Sequence, residues 1–293
     1  MSDRQTRMRP RKLLTTLRNI FITQGSGRVG GLLLAALVVV AVVGALVGDP
    51  TVQNSQARLA PPSPEHLFGT DQLGRDQFAR IASAIPIAFA LPLGSVLIAL
   101  VIGSTIGMLA AYLGGFTERV LMWVTDIFLA LPPLLLAIVV SGVFGAGLRN
   151  MTLAIAMIFV PRFARMARAT TLSVKHLPYI EAARLSGSNG IAVLLRHVLP
   201  SVFPSLIVVT TLSLSTALLA QASLSYLGLG VVPPAADLGN MLAEATRSIG
   251  VAPWLVVFPS IAIVLLILGF NLLGDAVRDV LDPRIASTTG ATT

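Results

Sequence analysis

Long runs of residues without a charged side chain alternate with short polar segments along this chain of 293 residues. A helix that crosses the hydrocarbon core of a bilayer needs about 20 consecutive, mostly apolar residues. Five uncharged runs reach that length, at 29–48, 81–117, 127–148, 198–236 and 248–274. The pattern predicts an all-α, polytopic membrane protein.

We place about six transmembrane helices on this pattern, at 29–48, 86–113, 119–145, 149–171, 201–228 and 253–274. The fourth is the weakest, since only residues 150–161 separate Arg149 from Arg162. It spans the bilayer if both arginines extend their charged ends toward the interface, or if the helix continues beyond the membrane. An odd number of crossings is the alternative topology.

The basic residues are concentrated in two places, which indicates the orientation of the chain. Seven of the 21 lysines and arginines lie in residues 1–28, and six lie in 162–196. Cytoplasmic loops are enriched in Lys and Arg, so both termini are predicted to be cytoplasmic. This uneven distribution explains the net charge of +8 without nucleic-acid binding.

The resulting layout has five parts. They are a basic cytoplasmic N-terminal tail, the first transmembrane helix, an extracytoplasmic segment, a core of five helices and a cytoplasmic C-terminal tail, at 1–28, 29–48, 49–85, 86–274 and 275–293. The core contains a cytoplasmic loop at 172–200, which is the most polar interruption between its apolar runs.

Several chemistries are excluded by the residues that the chain lacks. No cysteine is present, which rules out disulfides, iron–sulfur ligation and thiol catalysis. The three histidines, at 66, 176 and 197, do not have the spacing of a metal site. An ATP-hydrolysing P-loop needs G-x-x-x-x-G-K-[ST], and neither Lys12 nor Lys175 fits it. We predict no enzyme activity and no bound cofactor, so ATP-driven work requires a partner.

The segment 172–200 is predicted to form two short helices. Pro178 suits the first turn of a helix and Gly187 suits its end. The i, i+3, i+4, i+7 spacing places four residues on one nearly flat face that another protein could approach: Tyr179, Ala182, Ala183 and Ser186. A second helix follows, and Leu199-Pro200 is expected to stop it.

An ordinary amphipathic helix lying on the membrane is the alternative for this segment. Glu181 and Arg184 would then form a surface pair at i, i+3. Such pairs stabilise a helix by only about 0.2–0.5 kcal/mol. The residues alone leave both interpretations open.

The stretch EAARLSGSNGIAVLLRHVLP, residues 181–200, resembles the EAA loop of the membrane subunits of binding-protein-dependent ABC importers. In that family the loop forms a coupling helix that docks into a groove of an ATPase subunit. His197, followed by Val198, stands where the family pattern has isoleucine. The matching positions are Glu181, Ala182, Ala183, Gly187, Leu199 and Pro200.

Four further stretches resemble the second permease subunit of dipeptide, oligopeptide and nickel importers. They are HLFGTDQLGRDQFARI (66–81), ALPPLLLAIV (130–139), SYLGLGVVPP (225–234) and FNLLGDAVRDVLDPR (270–284). One departure follows Pro233-Pro234, where relatives often carry Trp-Gly and this chain has Asp237-Leu238-Gly239.

The resemblance implies a transmembrane subunit of an ATP-driven importer in a bacterial inner membrane, forming half of a translocation path. Dipeptides or oligopeptides are the implied substrates, with nickel or another small solute as the alternative. The implied partners are a homologous permease subunit, two ATPase subunits that use ATP and Mg, an extracytoplasmic substrate-binding protein and membrane lipid. No nucleic acid is expected.

Polar residues inside the predicted helices are candidates for the substrate path. Asp126 lies within the third helix, and ionisable residues at membrane depth are functional candidates. Gln221 and Ser225 lie in the fifth helix; hydrogen bonding between helices is the alternative role for all three. A secondary transporter driven by an ion gradient is the competing function class. Such proteins carry inverted repeats and buried coupling carboxylates, and this sequence shows no convincing repeat.

Overall fold

A computed structural model describes residues 25–281 of the chain, and helices form its regular structure. The first half contains α1 (Gly25–Val47), α2 (Gln77–Leu113), α3 (Gly115–Ala130), α4 (Pro133–Phe144) and α5 (Leu148–Val174). The second half contains α6 (Pro178–Leu185), α7 (Gly190–Val193), α8 (Leu199–Tyr226), α9 (Leu238–Ala245) and α10 (Trp254–Leu281). No strand forms between residues 25 and 281, so the all-α prediction is confirmed. The predicted tails at 1–24 and 282–293 lie outside the described residues.

Four helices are long and apolar enough to cross a membrane within the described range. They are Gly25–Val47, Gln77–Leu113, Gly190–Tyr226 and Trp254–Leu281. The third of these joins α7 to α8 through a π-helical segment, Leu194–Val198. A polytopic membrane protein is therefore confirmed, and the pair α3 and α4 adds a fifth crossing if it is counted as one broken helix.

The third predicted helix, 119–145, differs most from the structure. It is divided into α3 and α4, which meet at 94°. The break falls at Leu131 and Pro132, both of which have extended backbone conformations. Consecutive prolines at 132 and 133 lack the N–H groups that a continuous helix needs, and each disfavours helical geometry in the residue before it.

Helix α2 begins nearer the N-terminus than predicted, at Gln77 instead of residue 86. Asp76 caps it, because its carboxylate accepts a hydrogen bond from the Ala79 N–H at 2.9 Å. An aspartate at the N-cap satisfies one of the free backbone donors of the first turn. The helix therefore begins four residues before its uncharged part, which starts at Ile81.

Helices α2 and α5 lie side by side and run in the same direction. The Ser95 hydroxyl donates to the Thr152 carbonyl at 3.0 Å, and the Lys175 ammonium donates to the Ala111 carbonyl at 3.0 Å. Glycine allows this close approach, since a Cβ at Gly103 would overlap the Val160 carbonyl oxygen. Helix α5 contains four arginines and is less apolar than the four helices named above. Its parallel course along α2 nevertheless supports the predicted fourth crossing.

Contacts between glycines and neighbouring helices define the two ends of the bundle. Gly30 near the start of α1 lies against Gly269 of α10, and Gly44 near the end of α1 lies against Ala82 of α2. The start of α1 and the end of α10 therefore share one end with α6, which we call the inner end. The start of α2 lies at the opposite end, called the outer end.

Candidate functional site

The inner end carries the segment 172–200, which we call the inner loop. Its helix α6 begins at Pro178, preceded by an extended Leu177, and ends at Leu185. Gly187 follows with φ of +82°, a conformation that favours glycine. The predicted starting and ending residues of this helix therefore match the structure.

Side chains of the inner loop attach it to the bundle. Ile180 is fully buried, and the Tyr179 hydroxyl lies 2.9 Å from the Ser201 hydroxyl oxygen. The Arg184 guanidinium lies 4.6 Å from the centre of the Tyr112 ring at the end of α2. Such a cation–π contact contributes about 0.5–1 kcal/mol at an exposed position. The loop is therefore held in a defined position.

The predicted docking face of α6 is divided by this attachment. Tyr179 and Ala183 pack against the hydrophobic core, whereas Ala182 and Ser186 face outward. Packing part of the Tyr179 ring against the core removes apolar surface from water. Of the predicted face, only Ala182 and Ser186 are exposed, because Tyr179 and Ala183 are partly buried against the bundle; the docking role of Ala183 stays a prediction.

Outward-facing residues of the inner loop combine one acid with several apolar side chains. The Glu181 side chain is 55% exposed, and its carboxylate lies 3.9 Å from His176 Nδ1. Leu185 is 89% exposed, and Ile191 and Leu195 are also more than half exposed. Large patches of exposed apolar side chains mark surfaces that bind other proteins or lipid.

The second helix of the inner loop does not stop at Leu199 and Pro200, contrary to expectation. It continues from α7 through the π-helical segment into α8. The Leu199 N–H donates to the Leu194 carbonyl, one residue further back than in an α-helix. The wider turn accommodates Pro200, which has no N–H to donate.

Four charged residues meet at the outer end, forming what we call the outer clamp: Asp71, Arg75, Arg80 and Glu244. The Asp71 carboxylate binds Arg75 at 2.6 Å and Arg80 at 2.5 Å. Both arginines also reach Glu244 Oε2, at 3.2 and 2.9 Å. Because the Asp71 and Arg80 side chains are only 6% exposed, their charges depend on one another for compensation.

The outer clamp joins the segment after α1 to helix α9. Gln72 strengthens the junction by donating to the Glu244 carbonyl at 2.8 Å and to the Ser248 hydroxyl at 3.0 Å. A small cavity of about 190 Å³ lies beside it. Sequence reasoning identified the 66–81 motif but missed its pairing with Glu244, which no local spacing signals.

A larger cavity of about 690 Å³ opens between the α3–α4 bend, α5 and α8. We call it the apolar cavity, because aliphatic and aromatic side chains form most of its wall. Polar groups enter from α5 through Arg162 and Arg165, and from α8 through Thr216 and Ser223. The volume is in the range of sites that bind small ligands.

The three path candidates occupy different environments. Asp126 lies beside the apolar cavity and pairs with Arg165 at 2.7 Å. Gln221 is buried and donates to Asp237 at 3.0 Å, while Ser225 is buried against Met151. Neither Gln221 nor Ser225 lines the cavity, and both lie where α8 packs against neighbouring elements.

The described residues contain no group of three or more histidines and acids placed to hold a metal ion.

Among known families, residues 103–287 match the "Binding-protein-dependent transport system inner membrane component". The glutathione transport system permease protein GsiD of Pectobacterium atrosepticum is 44% identical over 226 residues, covering 77% of this chain and 75% of that protein. GsiD of Escherichia coli O6:K15:H31 is 42% identical over 224 residues, covering 76% and 74%.

Two solved structures of a methionine transporter share the fold. An inward-facing MetNI methionine ABC transporter matches with a TM-score of 0.56 and 22% identity, over 67% of this chain and 94% of that one. A crystal form of the same transporter soaked with selenomethionine matches with a TM-score of 0.57 and 21% identity, over 69% and 96%. At this identity the likeness concerns the arrangement of helices.

Proposed function

Since this chain belongs to the family of binding-protein-dependent transport system inner membrane components, we propose that ATPase subunits drive it through the inner loop. Membership makes it a multi-pass inner-membrane permease of an ABC importer, and not an enzyme. Such an importer comprises a second permease, ATPase subunits and a substrate-binding protein. In the assembly we propose, this chain forms half of the translocation path.

The exposed surface of the inner loop is the observation that carries the docking proposal. Leu185 and Glu181 project from a helix that is itself anchored to α2 and α8. Burial of an exposed leucine contributes about 1.5–3 kcal/mol to an interface. The docking set we propose contains Glu181, Ala182, Ala183, Gly187, Leu199 and Pro200, extended by Leu185.

The position of each residue in this set defines its role. Glu181 and Ala182 face the partner, whereas Ala183 and Leu199 support the loop from its inner side. Gly187 follows the end of α6, and Pro200 lies in the first turn of α8, the helix that would carry force into the membrane. ATP and Mg would be bound by the ATPase subunits, whose approach would then tilt α8 and the helices packed against it.

Small peptides of the glutathione kind are the substrate class we propose. Two relatives above 40% identity are glutathione permeases, and each alignment covers about three quarters of both proteins. The apolar cavity is large enough for such a solute. Nickel is less well supported, because the described residues offer no cluster of metal ligands.

The orientation we propose places the inner end, and with it both chain termini, in the cytoplasm. The seven lysines and arginines of residues 1–28, together with Lys175, Arg184 and Arg196 of the inner loop, support it through the positive-inside rule. Because the chain has no cysteine, single cysteines report topology directly. Glu181→Cys should react with a membrane-impermeant maleimide only after permeabilisation, and Glu65→Cys at the outer end should react in intact cells. Labelling of position 181 in intact cells would overturn the orientation.

Reconstitution tests the function itself. The complete importer in proteoliposomes, supplied with its binding protein, should accumulate glutathione only when ATP reaches the ATPase subunits. A vanadate-inhibited sample is the control. Uptake by the permease subunits alone, driven by an ion gradient, would instead establish a secondary transporter.

A further inference from the structure

Arg162 is an isolated cation in the wall of the apolar cavity. It lies near the middle of the 27-residue α5, and its side chain is exposed toward the cavity. No hydrogen bond or ion pair reaches it from the residues described between 25 and 281. The other two arginines of this stretch are paired, Arg165 with Asp126 and Arg168 with Glu118.

The depth of Arg162 makes its isolation significant. Val160 and Phe163, on either side of it, contact Gly103, which lies within the uncharged run 81–117 of α2. A charged side chain at membrane depth is costly unless it faces water or an opposite charge, and such residues commonly mark substrate pathways. Arg162 lines the apolar cavity without an acidic partner among residues 25–281, so an anion that enters the cavity would meet an uncompensated charge there.

The wall of the apolar cavity carries a net positive charge. Asp126 compensates Arg165 at 2.7 Å, so that pair is close to neutral. Thr216 and Ser223 are uncharged, and the remaining wall is apolar. One uncompensated positive charge remains, and it belongs to a guanidinium, whose planar donors match a carboxylate in two parallel hydrogen bonds.

We propose that Arg162 is a carboxylate-binding residue of the translocation path, which selects peptides with a free C-terminal carboxylate. The inference rests on the proposed function. It adds a residue that binds the C-terminal carboxylate of the peptide, while apolar side chains of the cavity contact the remainder of the peptide. A carboxylate passing the cavity would gain a charge-assisted hydrogen bond in a site with little competing water.

The experiment compares glutathione with its analogue in which the glycine carboxylate is an amide. Uptake is measured with the complete importer in proteoliposomes, at saturating binding protein whose loading with each compound is measured separately. The wild-type importer should transport the acid faster, and Arg162→Gln should lower the acid-to-amide ratio by about tenfold. Arg162→Lys should retain part of the preference, because it keeps the charge and loses the planar donors.

Arg149→Gln is the matched control, since Arg149 is an exposed arginine on the same helix, outside the apolar cavity. It should leave the ratio unchanged. Folding is checked by co-purification of all subunits and by basal ATPase activity. An unchanged ratio in a fully assembled Arg162→Gln importer would overturn the proposal.

Two further outcomes separate this proposal from others. If Arg162→Gln loses the second permease subunit while its residual uptake keeps the ratio, the arginine pairs with an acid of that subunit, and the proposal is wrong. If the wild-type importer transports neither compound, the proposed substrate class fails. If it transports both equally well, the substrate class stands and the role of Arg162 is refuted.

Discussion

The outer clamp and the inner loop show opposite uses of polar and apolar side chains. In the outer clamp, Asp71 and Arg80 are buried and charges compensate one another within the chain. In the inner loop, Glu181 and Leu185 project into open space with little to contact. The charges of the outer clamp are compensated within the chain, whereas the exposed side chains of the inner loop make few contacts within it. We infer that the outer end is stabilised from within, whereas the inner end depends on a partner.

The anchoring of the two regions is also different. Gln72 and both arginines of the outer clamp bind α9, so two segments far apart in sequence are held together at the outer end. The inner loop is held by Ile180, Tyr179 and Arg184, all on the side of α6 that faces the bundle. Mutations at the outer end should therefore affect stability, and mutations on the free side of α6 should affect assembly.

The largest effect is expected from breaking the outer clamp. Asp71→Asn leaves the buried Arg80 and the partly buried Arg75 with only Glu244 as an acidic partner. Removing one member of a buried ion pair costs about 3–5 kcal/mol. The thermal unfolding midpoint of the purified chain in detergent should fall markedly. Glu65→Gln, an exposed acid in the same outer segment, should leave it unchanged. Equal midpoints for both variants would mean that the clamp does not stabilise the outer end.

A second effect is expected at the end of α6. Gly187→Val places a β-branched residue at a φ of +82°, a conformation that costs about 1–3 kcal/mol. Because the surroundings of Gly187 are open, the strain is conformational and not steric. The turn should rearrange, and the ATPase subunits should no longer co-purify although membrane insertion remains normal.

Gly228→Val is its matched control. Gly228 has a φ of +80° and equally open surroundings, but it lies at the outer end of α8. Similar strain there should leave ATPase co-purification intact. Loss of the ATPase subunits in both variants, or in neither, would contradict the assignment of docking to the inner loop.

A smaller effect is expected from one exposed apolar side chain. Leu185→Ser removes an 89% exposed leucine, so the isolated chain should lose little stability. Its affinity for the ATPase subunits should weaken about tenfold, as burial of the leucine in the interface is lost. Val251→Ser, which also alters a highly exposed apolar residue but at the outer end, should not change the affinity. The affinities of the two variants are compared by titrating the ATPase subunits onto each of them.

The smallest effect is expected from Glu181→Gln. The carboxylate is more than half exposed, and exposed ion pairs contribute about 0–1 kcal/mol. ATPase affinity should fall about threefold at low salt, and the difference should vanish at high salt because exposed charges are screened. A difference that persists in high salt would assign Glu181 a structural role instead of an electrostatic one.

Local chemistry explains which parts of the fold were predictable. Uncharged runs indicate membrane helices wherever their length matches the bilayer, and Pro178 and Gly187 mark the ends of α6 through backbone preferences alone. The break between α3 and α4 could have been read from the prolines at 132 and 133, whose effect on a helix is equally local. The continuous path through Leu199 and Pro200 was harder to foresee, because a π-helical turn has no clear sequence signature.

Distant contacts explain which parts of the candidate site were not predictable. The partial burial of Tyr179 and its contact with Ser201 depend on the packing of α6 against α8. The sequence left Gln221 with two possible roles, in the path or in bonding between helices, and the structure shows its hydrogen bond to Asp237 at the start of α9. Arg162 drew no attention in the sequence as a functional group, since three arginines follow one another at similar spacing and only the structure shows which two have acidic partners.

The sequence by itself determined that the chain crosses a membrane with α-helices and that its EAA-like loop resembles the coupling element of importers. Both follow from residue type and spacing along a continuous segment. The tertiary structure decided which side of α6 is free, how the outer charges are paired, and that Arg162, among residues 25–281, lines a cavity without an acidic partner. These properties depend on where separate helices meet, because burial and ion pairing are set by neighbours in space and not by neighbours in sequence.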